Sequence, residues 1–250
     1  MQSPYFVKQS TFSTMLYPTK FLVERTLPTV TPSKGKGLAA LTLLTGASFV
    51  LATTRGVLTG NWWFFMFLMW NLFLAWFPLG IMLVLRDLRL SAALGRGRLD
   101  QTVSWLMVGL WLLFMPNAPY IITDLFHLRM TDSELVWFDT LMIFVGAVTG
   151  LLTGLYSTLL AHRTLRSLTG SLSAWALIMA CQGLAGFGIY LGRYIRWNSW
   201  SVLTEPMILT RSLWASLHDP LAQKVALTYG FGLATLYVAF YIYVEKELAN

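Results

Sequence analysis

WWFFMFLMWNLFLAWFPLGIMLVL, residues 62–85, decides the fold. These 24 positions hold no Lys, Arg, Asp, Glu or His. At 1.5 Å per residue a helix of this length reaches about 36 Å, enough to cross a hydrocarbon core about 30 Å thick. One polar side chain, Asn71, sits near its middle. In lipid a buried amide needs a hydrogen-bonding partner, so Asn71 predicts an interhelical bond, or alternatively a solute contact.

The rest of the chain repeats the pattern. Apolar runs recur at 37–53, 102–116, 136–161, 171–192 and 225–244, giving six spans. Of the 250 residues 56% are hydrophobic and 12% charged, against about a quarter charged in a soluble domain. The expected fold is therefore all-α, an integral membrane bundle of about six transmembrane helices in one domain over 37–244. Residues 1–36 read as a mobile cytoplasmic tail, with room for a short surface helix, and 245–250 as a short cytoplasmic tail. The long leader before the first span argues that this span is not cleaved.

The net charge of +7 raises the question of sidedness before that of nucleic acid, which is not expected as a partner. With the N-terminus inside, twelve of the eighteen lysines and arginines fall inside. The other six are Arg55, Arg129, Arg193, Arg196, Arg211 and Lys224. The positive-inside bias places both termini in the cytoplasm. The single cysteine, Cys181, excludes an internal disulfide and a cysteine-based zinc site. The spans carry almost no ionisable residue near their centres, which counts against an ion-coupled carrier. Gly146, Gly150 and Gly154 recur every four residues and suit close helix approach. The natural partner is the fifth span, with Gly183, Gly186, Gly188 and Gly192.

Polar chemistry concentrates in FMPNAPYIITDLFHLRM, residues 114–130. Pro116 and Pro119 remove backbone donors and disfavour helix before them, so the third helix is expected to break there. Pro119 also suits the first turn of a new helix, with Asn117 or Ala118 near its cap. Laid on an α-helix, Tyr120, Asp124 and His127 share one face, and Asn117 would extend the stripe. Asp124 lies 22 residues beyond Thr102, and Arg193 22 beyond Ser171. Both should then sit at the outer interface, with residues 192–200 facing the opening stretch and Asp124 pairing with Arg193 or Arg196.

Three readings remain open. Asn117, Tyr120, Asp124, His127, Arg193, Arg196 and Asn198 could form an outward-facing site for a small anionic ligand or a lipid headgroup. A membrane enzyme could act on a lipid-linked substrate, with His127 as acid or base, Asp124 orienting it and the arginines as phosphate clamp. A structural cluster could close the bundle without any ligand. A lone Asp–His pair is short of a coordination sphere. Glu134, Asp139, Glu205 or His218 would have to complete it, and neither metal nor cofactor is expected. No motif of the familiar soluble enzyme classes is present. Oligomeric state is not legible.

WNLFLAWFP (residues 70–78), LFMPNAPYIITDLFHL (113–128) and GRYIRWNSW (192–200) resemble the ordered blocks of a bacterial family, domain of unknown function 1361. The resemblance spans roughly 37–244. It implies a multi-pass protein of the bacterial inner membrane and brings no activity, cofactor or catalytic residue.

Overall fold

A computed structural model describes residues 33–95, 99–131, 134–197 and 204–249. The expected tail before residue 33 lies outside these, as does Asn198. Every regular element is helical among the described residues, in the order α1 (Ser33–Thr59), α2 (Trp63–Ala93), α3 (Gln101–Phe114) and α4 (Asn117–Tyr120). A 3-10 segment (Ile121–Met130) follows, then α5 (Val136–Thr169), α6 (Ser171–Tyr190) and a π turn (Leu191–Ile195). The chain continues through α7 (Pro206–Leu217) and α8 (Pro220–Ala249).

Six of these stretches are long and apolar enough to cross a membrane, the third running from Gln101 through the break to Arg129. The outward faces carry large apolar side chains: Leu43 is 75% exposed, Leu227 73% and Phe231 76%. Water would not tolerate so continuous an apolar surface, whereas lipid tails do.

The helices outrun the expected spans. α2 continues past Leu85 to Ala93 and α5 past Ala161 to Thr169. Arginine is a good helix former, so a span that leaves the hydrocarbon has no reason to unwind until a breaker arrives. For α5 that breaker is Gly170, at φ 89, a backbone conformation side-chain-bearing residues avoid. α7 falls between the expected fifth and sixth spans. Its twelve residues cover only about 18 Å, too little to cross.

The core has two large clusters and a small third one of Tyr190, Ala222 and Val225. One large cluster packs Met82, Trp111, Leu159, Ile178 and Tyr237 towards the end where α3 begins. The other packs Leu68, Leu72, Ala118, Ile121 and Met142 towards the end where α1 gives way to α2. Polar side chains stitch the first cluster: Trp111 Nε1–H donates to Ser157 Oγ at 3.2 Å, and the Tyr237 hydroxyl lies 2.7 Å from His162 Nδ1.

The glycine stripes do a different job from the one expected. A Cβ at Gly150 would lie 2.6 Å from the Ala118 carbonyl oxygen, and one at Gly154 would lie 3.1 Å from Ala118 Cβ. Gly150 and Gly154 of α5 therefore seat the broken third helix, while Gly146 meets Leu68 of α2. On α6, a Cβ at Gly186 would collide with the Ala226 carbonyl of α8, while Gly188 faces Pro116 and Gly192 faces Tyr120. A bulky proline ring in the third helix needs a recess on each side, and the glycines supply both recesses.

Candidate functional site

The proline break works as the residue types require. Met115 and Pro116 form a turn after α3, and the single α-helical turn of α4 runs straight into 3-10 geometry. Asn117 occupies the first position of α4 with Pro116 as its cap. The chain passes from one α-helical turn into a tighter 3-10 segment, and the expected stripe splits. Tyr120 and His127 turn towards a cleft, whereas Asp124 turns into the protein and is fully buried.

Asp124 Oδ2 accepts a hydrogen bond of 2.8 Å from Asn71 Nδ2, eight residues into α2 from its start at Trp63. Asn71 thus has the interhelical partner that burial demands. Arg193 Nη1 lies 4.0 Å from Asp124 Oδ1. That is ion-pair range but longer than a hydrogen bond, and Asp124 Oδ1 has no hydrogen-bond partner. The Arg193 guanidinium also sits 5.4 Å from the centre of the Phe126 ring, a cation–π distance.

Five of the seven residues expected at the site line one cleft of about 710 Å³: Asn117, Tyr120, His127, Arg193 and Arg196. Asn71 joins them, and Asp124 stands behind Arg193. Residue types and elements grade along the cleft. The cationic end is made by the π turn and the residue after it. The other end is apolar, with Leu74 of α2, Leu112 of α3 and Leu184 of α6. Leu209 and Leu213 of α7 close a flank. The apolar lining on α2 and α6 recurs at three- and four-residue spacing, the one signal by which sequence could have found it.

His127 packs against Phe67, with ring centres 4.5 Å apart, and against Trp63 at 5.6 Å. Its Nδ1–H donates to the backbone carbonyl of Asp124 at 3.2 Å. The imidazole is thus held by the peptide of Asp124 and not by its carboxylate, so the Asp–His pair imagined for acid–base work does not form.

Asp139 serves another purpose. It is fully buried and receives Arg55 Nε at 2.7 Å and Nη2 at 3.3 Å, tying α1 to α5 at the end of the bundle that holds the site. The expected spans leave Arg55 beyond the end of the first and hold Asp139 near the start of the fourth. Arg55 instead falls inside α1, which runs six residues past the expected end at 53. Its guanidinium also stands 5.3 Å from the Phe64 ring centre. Among the described residues no three His, Cys, Asp or Glu gather as a metal site would need. His162 was passed over because the fourth span was ended at 161. It lies in α5, is 1% exposed, and packs among Trp175, Tyr237 and Tyr241 at the far end.

No curated protein and no solved structure matches the chain. The model of the family described as protein of unknown function (DUF1361) matches residues 70–238, a stretch that contains α3, the proline break, the π turn and all the described residues of the cleft except Phe67. The chain belongs to the DUF1361 family.

Proposed function

We propose that this multi-pass membrane protein binds an anionic group, a phosphate or a carboxylate, in the cleft between the proline break and the π turn. What supports the reading is the conformation of Arg196. It lines the cleft from a left-handed backbone, φ 64 and ψ 26, the one non-glycine residue with positive φ among those described. That region costs a side-chain-bearing residue about 1–2 kcal/mol, and glycine would adopt it freely. Arginine at such a position is explained by what its guanidinium does. Beside it, Arg193 is steadied by Asp124 and Phe126, and Tyr120, Asn117 and His127 add hydrogen-bonding groups at the same end. Two guanidinium forks facing one space suit an oxyanion.

The site faces outward in this proposal, with both termini cytoplasmic at a bacterial inner membrane. Arg55 is neutralised by Asp139, so only five of the basic residues on the site's side act as topological charges, against twelve opposite. A reporter fused after residue 250 should read cytoplasmic.

The binding test is thermal unfolding of detergent-solubilised protein titrated with inorganic phosphate. The wild type should be stabilised, as any ligand specific to the folded state stabilises it. R193Q/R196Q should lose that response. An equal response in both proteins would sink the proposal.

A further inference from the structure

The cleft is too long and too apolar for an anion alone. From Leu184 to Arg193 is nine residues of α6 and the π turn, about 14 Å at helical rise. Over that distance the lining passes from Leu74, Leu112 and Leu184 to the guanidinium of Arg193. A volume of about 710 Å³ is in the range that holds a drug-sized molecule, far beyond one phosphate. The wall is also open to the lipid-facing surface: Trp70 is 56% exposed and Leu184 54%, and both line the cleft.

We infer that the occupant is a lipid with an anionic phosphate head, seated with its head at Arg193 and Arg196 and an acyl chain along Leu112 and Leu184. The inference rests on the anion reading above and adds the chain. Charge complementarity decides the orientation, because only one end of the cleft is cationic. The apolar end lies deeper in the bundle, where a chain entering sideways from the bilayer already runs. The face of α7 bearing Leu209 and Leu213 covers the chain, while Met207 and Trp214 of the same helix remain exposed to lipid.

The test reconstitutes the full chain in vesicles of phosphatidylcholine alone and of phosphatidylcholine with phosphatidylglycerol. Lipid retained by the protein is then counted by native mass spectrometry. Wild type should retain phosphatidylglycerol at least tenfold over phosphatidylcholine. R193Q/R196Q should lose that preference. L184W fills the apolar end without adding polarity, at a position half exposed to lipid, so folding should survive. It should lower phosphatidylglycerol retention at least tenfold while leaving the response to inorganic phosphate intact. A phosphate response with no effect of L184W would overturn the lipid inference and leave the anion site standing. Phosphatidylglycerol retention unchanged in R193Q/R196Q, with no phosphate response in wild type, would overturn both. Equal retention of the two lipids would also overturn the inference, since the arginines would then select nothing.

Discussion

Arg196→Gly separates a residue kept for its side chain from one kept for its backbone. Arg196 holds φ 64 and ψ 26, its own N–H closes the π turn on the Leu191 carbonyl, and the following N–H, of Trp197, donates to the same carbonyl at 3.0 Å. Glycine takes that backbone without the penalty of about 1–2 kcal/mol, but brings back about 0.5–1 kcal/mol through its freer unfolded chain. The net effect on stability is therefore between zero and about 1.5 kcal/mol in favour of the variant. The effect on binding runs the other way. A guanidinium about 4 Å from an oxyanion contributes about 1 kcal/mol at water's dielectric and about 4 kcal/mol at an effective value of 20. Arg196 is exposed, so the lower part of that range applies, about 1–2 kcal/mol, or roughly five- to thirtyfold in affinity. Denaturant unfolding should show the variant at least as stable as wild type, and phosphatidylglycerol retention should fall by that factor. A variant that is less stable and binds normally would refute the reasoning.

Asp139→Ala should cost about 3–5 kcal/mol in unfolding titrations, because it strands a 5% exposed guanidinium. Asp87→Ala, whose pair with Arg86 is exposed on the acid's side, should fall within about 0.5 kcal/mol of wild type, and equal losses would show that the Arg55 pair is not desolvated. Asn71→Leu removes the one hydrogen bond to the Asp124 carboxylate and should cost about 1–3 kcal/mol, a loss that hydrogen exchange should localise to 117–131. Gly150→Val places a methyl-bearing carbon against the Ala118 carbonyl and should both destabilise by about 1–3 kcal/mol and weaken anion binding, since it moves the segment carrying Tyr120. Asp219 lies between spans, and the Tyr190 hydroxyl and the Leu221 N–H donate to it, so its carboxyl is held below the usual carboxylate range. Its contribution is present above the unfolded value of about 3.9 and is lost as pH falls through the lower folded value. Hydrogen exchange at 219–223 should quicken on acidification in wild type and be fast at all pH values in Asp219→Asn.

The helices were legible because hydropathy over 20 residues is a bulk property that one membrane thickness enforces. Their ends were not, because Arg86, Arg89, Arg163 and Arg166 leave the bilayer without leaving the helix. The same blindness hid the Arg55–Asp139 pair, because Arg55 read as a loop residue until a longer α1 carried it inward. At the site, residue types and counted depth were enough to bring 192–197 against 116–127, and Arg193 does face Asp124. What failed was angular. An i, i+3, i+4 stripe presumes one regular α-helix, whereas the chain changes winding between Tyr120 and Ile121, so the direction of each side chain could not be counted from the sequence. The glycine stripes showed that helices approach closely but not which ones, since small side chains carry no label for their partner.

The two departures from α-helical winding also bear on each other. The 3-10 segment is wound tighter than α and the π turn looser, and they meet across the cleft, where Gly192 faces Tyr120 and Arg193 faces Asp124. Hydrogen-bond geometry is poorer in both than in an α-helix, and at membrane depth backbone irregularity survives only where protein covers it or a cavity opens beside it. A bundle that needed only to close could have continued α3 and α6 as regular helices and packed leucine between them. Instead Pro116 and Pro119 break one helix, glycines on α5 and α6 accommodate the break, and the opposing turn ends with an arginine in a left-handed conformation. Each feature is locally unfavourable, and all act on the same few ångströms, which carry the cationic end of the cleft. Strain concentrated at one place, with its compensations built into neighbouring helices, is the distribution that the proposed anion site would require.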